Sequence, residues 1–350
     1  MKPKKLRDYG IIIGKMKPGR YNAITDVEGV KVGHTTLMDG DINTGVTAVL
    51  PHEGNCFKKK VMAASHIING FGKTLGTVQI NELGTIETPI ILTNTLNIGI
   101  ASDALIHYMI DKNPDIGITT GTVNPVVAEC NDAYLNDIRG VHVSKKDVID
   151  AIKNAKNEFS EGSVGAGTGM SCYQLKGGIG SASRVITFND MEYKIGVLVL
   201  SNMGKKEDLL VNGKALGKLI VELEGNAETD GDKGSIIIIV ATDLPVTERQ
   251  LKRIAKRSVV GLSRTGAYIG HGSGDIAIAF TTANKINHYE EDKIINIQMV
   301  NEAHIDMIFQ ATVEATEEAI LNSMIAADTI FGRNGHYRKS LKEYIHLYYK

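Results

Sequence analysis

The chain has 350 residues, 37 of them glycine and none tryptophan, and its 39 basic and 40 acidic side chains leave a net charge of −1. An apolar content of 43 % against 23 % charged residues is enough to bury a sizeable core and argues against intrinsic disorder. The charge balance excludes a generally basic nucleic-acid binder, the absence of a Gly-x-y period excludes collagen, and the longest strongly apolar run, residues 236–241, is far too short to span a bilayer.

The first ten residues carry lysines with no apolar stretch of signal-peptide length behind them. Cys56, Cys130 and Cys172 are an odd number with no CxxC pair. Both features point to a reduced, cytoplasmic protein.

In chain order, residues 29–34 and 44–50 read as early strands, and 95–112 as a helix interrupted by Gly99. Ser144 and Asp147 have the spacing of a capping box, opening a helix with Val148, Ile149, Ile152, Ala155 and Phe159 on one face. A glycine-rich stretch follows over 162–180, then strands over 184–188 and 193–200. A polar loop over 224–233 leads into the β-branched run from Ser235. Thr247 and Gln250 box the start of a basic helix through Ser263. Residues 275–282 read as a strand, and 302–330 as a long helix. Mixed strands and helices without a Pro/Ser/Gly linker predict one α/β layered domain over 1–350.

Two apparent nucleotide motifs fail on spacing. Gly165 and Gly167 begin a GxGxxG, but the sixth position is Met170 and the preceding segment is helix-like. Gly72-Lys73-Thr74 resembles the end of a P-loop, yet the required first glycine is Ile67. The ten histidines show no zinc spacing; Asp103 and His107 are one helical turn apart, as a surface pair would be. The cysteines read as small buried hydrophobes.

Ser235 differs from the other Gly-Ser serines. It follows a long polar loop and starts a continuous apolar strand, so it is held rigidly on one side while the other opens at the sheet edge. Gly234 before it permits strained or left-handed backbone. A serine hydroxyl in that position can attack the Gly234 carbonyl and turn the amide into an ester. Hydrolysis then leaves Ser235 as a new N-terminus whose α-amine serves as a base. Most Gly-Ser pairs, however, are simple turns. Ser273 and Asp275, two apart before a strand, share a face and form a hydroxyl–carboxylate pair, or else an ordinary Gly-Ser-Gly turn. Asn202, at a strand end, is placed as an oxyanion-hole donor or as an Asx-turn. Glu129 is suited to bind a cationic amine, and Tyr134 to donate a hydrogen bond, or else each is an ordinary polar residue.

Seven segments in order carry a resemblance: NAITDVEGVKVGH (22–34), ETPIILTNT (87–95), VAECNDAYLNDIR (127–139), GSVGAGTGM (162–170), KGGIGSASR (176–184), GSIIIIVATD (234–243) and GSGDIAIAF (272–280). Together they resemble the L-aminopeptidase/D-esterase family, which includes the β-peptidyl aminopeptidases. The resemblance implies an α/β/β/α sandwich of the N-terminal-nucleophile-hydrolase type. It implies a precursor that cleaves itself between Gly234 and Ser235, giving associated fragments 1–234 and 235–350. It assigns Ser235 as nucleophile, Ser273 as helper serine, Asp275 as its acidic partner and Asn202 as oxyanion donor. Glu129 and Tyr134 match a region lining the substrate pocket. The acidic partner is glutamate in some members; the aspartate here is one C–C bond shorter. The implied substrate is a peptide, amino-acid amide or ester. The implied assembly is a homo-oligomer of processed heterodimers, with no metal, organic cofactor, nucleic acid or membrane involved. An acyltransferase on a similar fold, or a binding protein that has lost catalysis, are the other readings of the same residues.

Overall fold

The structure, a computed structural model, describes residues 4–225 and 234–350. Most of the polar loop expected over 224–233 lies outside the described residues. In chain order the strands are β1 (Lys31–Asp39), β2 (Ile42–Leu50), β3 (Lys59–Gly70), β4 (Thr74–Leu75), β5 (Thr85–Ile86), β6 (Ile90–Asn94), β7 (Val126–Cys130), β8 (Ser171–Cys172), β9 (Leu175–Lys176), β10 (Gly178–Phe188), β11 (Met191–Asn202), β12 (Ser235–Thr242), β13 (Gly274–Asn287), β14 (Ile330–Phe331) and β15 (Tyr337–Arg338). The helices are α1 (Thr77–Leu83), α2 (Ile98–Lys112), α3 (Lys145–Lys153), α4 (Leu216–Glu224), α5 (Glu248–Arg264) and α6 (Ile305–Ile325).

Two sheets stack. One has the order β1-β2-β6-β7-β4 and the other β10-β11-β12-β13-β3-β5, while β8–β9 and β14–β15 are small hairpins. The side-chain alternation of β12 shows why its sequence is apolar at every position. Ile236, Ile238 and Val240 join a core with Leu251 and Ile254 of α5 and Ile308 and Leu321 of α6. Ile237, Ile239 and Ala241 point the other way, into a core with Val49, Ile90 and Ala128 of the facing sheet. Behind that sheet, Val46, Ala48 and Val127 pack on Leu105 of α2 and Val148 and Ile152 of α3. The result is the expected α/β/β/α sandwich.

Both capping boxes form: Ser144 with Asp147 opens α3, and Thr247 with Gln250 opens α5. Several boundaries differ from expectation; β1 runs to Asp39 rather than 34 and β13 to Asn287 rather than 282. Helix α3 stops at Lys153, so Ala155 and Phe159 lie beyond it. Helix α6 stops at Ile325, and Ile330 instead begins β14. Strand β10 begins at Gly178 rather than 184 because its glycines serve packing. A Cβ on Gly180 would lie 2.0 Å from the Ala319 carbonyl oxygen, so only glycine lets α6 approach this closely. The long strand β3 carries no clean alternation and was not legible as a strand. Asp103 and His107 do form a half-exposed surface pair at 3.4 Å.

Candidate active site

Register places the first centre. Ser235 opens β12 between two neighbours, opposite Asn202 at the end of β11 and opposite Gly274 at the start of β13. Residues from three distant stretches therefore meet at one end of the second sheet. Ser235 is only 6 % exposed and lies at the head of a central strand, not at a lateral edge.

The Ser235 hydroxyl donates to the Gly234 carbonyl oxygen at 2.7 Å. The Gly274 N–H lies 3.2 Å from that same oxygen and 3.2 Å from the Ser235 Oγ. One backbone donor thus faces both the hydroxyl and the adjacent carbonyl. Close approach alone requires glycine at 234: a Cβ would lie 2.2 Å from the Asn202 carbonyl oxygen and 2.4 Å from Met203 Cα.

Ser273 and Asp275 form the pair their spacing suggests. The Ser273 hydroxyl donates to Asp275 Oδ1 at 2.7 Å, so the shorter acid reaches its partner. Both residues are buried. Asn69 on β3 fastens the turn beneath them by donating its amide to the carbonyls of Gly270, His271 and Ser273.

Asn202 is held at both ends of its carboxamide. Its Oδ1 accepts the Ser171 N–H at 2.8 Å, and its Nδ2 donates to the Asn131 carbonyl at 2.9 Å. Glu129, at the end of β7 in the facing sheet, is buried; it accepts the Lys73 N–H at 2.8 Å and the Thr95 hydroxyl. The 71–73 loop threads between the two sheets: a Cβ on Gly72 would lie 3.2 Å from Gly274 Cα and 3.7 Å from Glu129 Oε1. Burial pushes the Cys130 thiol well up, and the negative charges of Glu129 and Asp275 add to the effect. A protonated, buried thiol is a poor nucleophile, as the sequence suggested.

Tyr134 is not drawn into this centre. It is 37 % exposed and lines a cavity of about 510 Å³ with Leu175, Lys206, Glu224, Tyr337 and Arg338. The Arg338 guanidinium lies 3.8 Å from its ring centroid, and His336 stacks on it at 4.5 Å. Residues that sequence reasoning missed are Asn69, Thr95, Asn131, Ser171 and Arg338. Thr95 and Asn131 lie within the quoted motifs, whereas Asn69 and Arg338 carry no local signal. Among the described residues, no group of three His, Cys, Asp or Glu side chains is arranged to hold a metal. No helix among them is long and apolar enough to cross a membrane.

The four-layer α/β/β/α sandwich is an N-terminal-nucleophile-hydrolase-like fold, the fold named for a solved neighbour of this chain. The chain superimposes on the PH0078 protein of Pyrococcus horikoshii OT3 with a TM-score of 0.93 and 52 % identity, covering 99 % of this chain and 100 % of that one. It superimposes on the L-aminopeptidase D-Ala-esterase/amidase of Ochrobactrum anthropi with a TM-score of 0.90 and 36 % identity, covering 99 % of each chain. The β-peptidyl aminopeptidase BapA of Sphingosinicella microcystinivorans is 40 % identical over 94 % of this chain and 87 % of its own length. The model of peptidase family S58 matches residues 22–338, and the chain belongs to that family. It is a hydrolase with serine-type aminopeptidase activity.

Proposed function

We propose that the protein is a self-processing serine aminopeptidase that releases N-terminal residues from peptides, amides or esters through an acyl-enzyme on Ser235. The observation that carries this reading is the geometry at the 234–235 junction. The Gly234 carbonyl oxygen faces the Gly274 N–H at 3.2 Å, while the Ser235 Oγ lies 2.7 Å away. In the proposed self-cleavage, Oγ attacks the Gly234 carbonyl carbon and gives its proton to the departing amide nitrogen. The bond from Gly234 to nitrogen breaks as the ester forms. Water then cleaves the ester, leaving a Gly234 carboxylate and a free Ser235 amine and hydroxyl.

In turnover the same hydroxyl attacks the carbonyl of a substrate's N-terminal residue. The freed α-amine, with an ordinary pKa of roughly 7.7–8.0, accepts the proton. Ser273, polarised by Asp275, organises that proton network. Asn202 and the Gly274 N–H stabilise the oxyanion. The leaving amine departs protonated, and water deacylates the enzyme. Glu129 attracts the substrate's ammonium, supported by its burial beside the 71–73 loop. The relatives' names make β-amino, L-amino and D-alanyl amides the substrates to try first. The working form in this reading is a cytoplasmic homo-oligomer of the processed heterodimer.

The test is a denaturing gel with N-terminal sequencing. Dividing 37.9 kDa as 234:116 gives expected bands near 25 and 13 kDa, the smaller beginning at Ser235. Ser235→Ala should give one full-length band and no hydrolysis. A single uncleaved wild-type band, with activity retained in Ser235→Ala, would sink the mechanism. Addition of a competing amine separates hydrolysis from acyl transfer: acyl-amine as the dominant product would assign a transferase.

A further inference from the structure

We infer that Arg338 is a positioning residue for the oxyanion donor, acting on Asn202 through Ser171; this rests on the reading of Asn202 given above. A carboxamide carries an acceptor at one end and two donors at the other, and rotation by 180° exchanges them. Asn202 must present Nδ2, not Oδ1, to a developing negative charge. Its orientation is set by the Ser171 N–H on Oδ1 at 2.8 Å and the Asn131 carbonyl on Nδ2 at 2.9 Å. A flip would face N–H against N–H and C=O against C=O. The second N–H of Nδ2 is the donor the chemistry uses.

Ser171 is in turn held by its side chain. Arg338 Nε donates to Ser171 Oγ at 2.8 Å. Arg338 is buried, and its guanidinium plane rests on the Tyr134 ring with 3.8 Å to the centroid. Backbone pairing reinforces the link: Ser171 pairs with Lys176, whose N–H donates to the Lys339 carbonyl at 2.8 Å. A planar fork is needed for this double duty. One face stacks on an aromatic ring while an in-plane N–H reaches the hydroxyl, which an ammonium cannot reproduce. The relay also joins opposite sides of the 234–235 junction, since Arg338 lies after it and Tyr134, Ser171 and Asn202 before it. The cavity wall at Tyr134 and the oxyanion donor are therefore mechanically one unit.

The experiment is a double-mutant cycle on the processed enzyme with a β-amino-acid p-nitroanilide, alongside thermal midpoints. Arg338→Gln is expected to lower kcat about tenfold or more, part of what losing an oxyanion donor costs. Its KM should stay within about twofold, because the substrate's ground state is not touched. Ser171→Ala should behave alike, and the double variant should be no slower than the slower single one. Arg338→Lys should not restore the rate. Factors that multiply in the double variant, a rise in KM alone, or full rescue by lysine would each overturn the relay. If Arg338→Gln does not fold, Ser171→Ala carries the test, and an unchanged kcat overturns it. Asn202→Ala separates the two levels. Wild-type kcat in that variant removes the oxyanion reading itself, and the relay with it. A large loss there with no effect of Arg338→Gln or Ser171→Ala removes the relay alone.

Discussion

At the scale of single residues, the centre depends on how closely backbones approach. Gly234 has no room for a side chain against Asn202 and Met203. Gly234→Ala must therefore push the 234–235 junction away from β11, at about 1–3 kcal/mol of overpacking strain. The expected outcome is slowed or absent fragment formation on a time-course gel, with the variant still folded by circular dichroism. Normal processing would show that the junction tolerates displacement. The Ser273–Asp275 pair was legible because residues two apart at a strand share a face whatever the rest of the chain does. The Asn202–Ser235 neighbourhood was not, because register between β11 and β12 is decided by the packing of whole strands.

At the scale of elements, helix starts were more legible than ends. A capping box is a four-residue pattern whose hydrogen bonds are local, so Ser144 and Thr247 announced α3 and α5. The end of α6 at Ile325 has no such signature, and apolar periodicity ran on into β14. Helix α4 illustrates an element fixed by ion pairs. Glu224 at its C-terminal end accepts Lys206 Nζ at 2.7 Å, Lys339 Nζ at 3.1 Å and the Tyr344 hydroxyl. Burial alone would raise this carboxyl, but those three partners outweigh it and hold it at about 2. A carboxylate with a depressed folded pKa adds stability above its ordinary 4.5 and loses it as pH falls toward about 2. Glu224→Gln should therefore melt below wild type at pH 7, with the gap closing between pH 4.5 and 2. A gap independent of pH would show that packing, not charge, is responsible.

A second element-scale device is Lys176 on β9, fully buried, whose ammonium donates to the carbonyls of Gly167, Met170 and Gly177 at 2.8–2.9 Å. It closes the glycine-rich segment as a folded turn. The segment that resembled a phosphate cradle is thus filled by the protein's own lysine, whose pKa burial lowers to about 7. Lys176→Met removes three hydrogen bonds, although Gly167 and Met170 each keep one backbone N–H donor, and should cost about 1–3 kcal/mol, read by urea unfolding. A loss below about 1 kcal/mol would mean that water replaces the amine.

At the scale of the molecule, the two sides of the 234–235 junction are interleaved. Strand β11 from one side pairs with β12 from the other, and β3 pairs with β13. Buried charges add to this. Arg184 on β10 is fully buried and donates to Glu314 at 3.0 Å and Glu318 at 2.8 Å, both on α6, while Arg7 also donates to Glu318 at 2.7 Å. Arg184→Met would leave two acids of α6 short of a partner in a dry site, at a cost of about 3–5 kcal/mol. Denaturation midpoints test this directly, and a neutral effect would show that Arg7 suffices. Fragments formed by cleavage should remain associated under native conditions, since they share one sheet and this ionic cluster.

The sequence by itself determined the layered α/β class, both boxed helix starts and the buried character of β12, and it offered the Ser273–Asp275 pair beside an ordinary turn. Each of these follows from local periodicity or from residues within four positions of one another. The ordered motifs added the family, which the comparisons bear out. Only the tertiary structure decided that Asn202, Ser235 and Gly274 abut, that Gly234 is dictated by close approach to Asn202 and Met203, and that Tyr134 lies under the Arg338 guanidinium, which in turn donates to Ser171. Those facts depend on strand register and on contacts between residues more than a hundred positions apart. Such contacts are fixed by the joint packing of two sheets and two helix layers, and no short stretch of sequence contains that information.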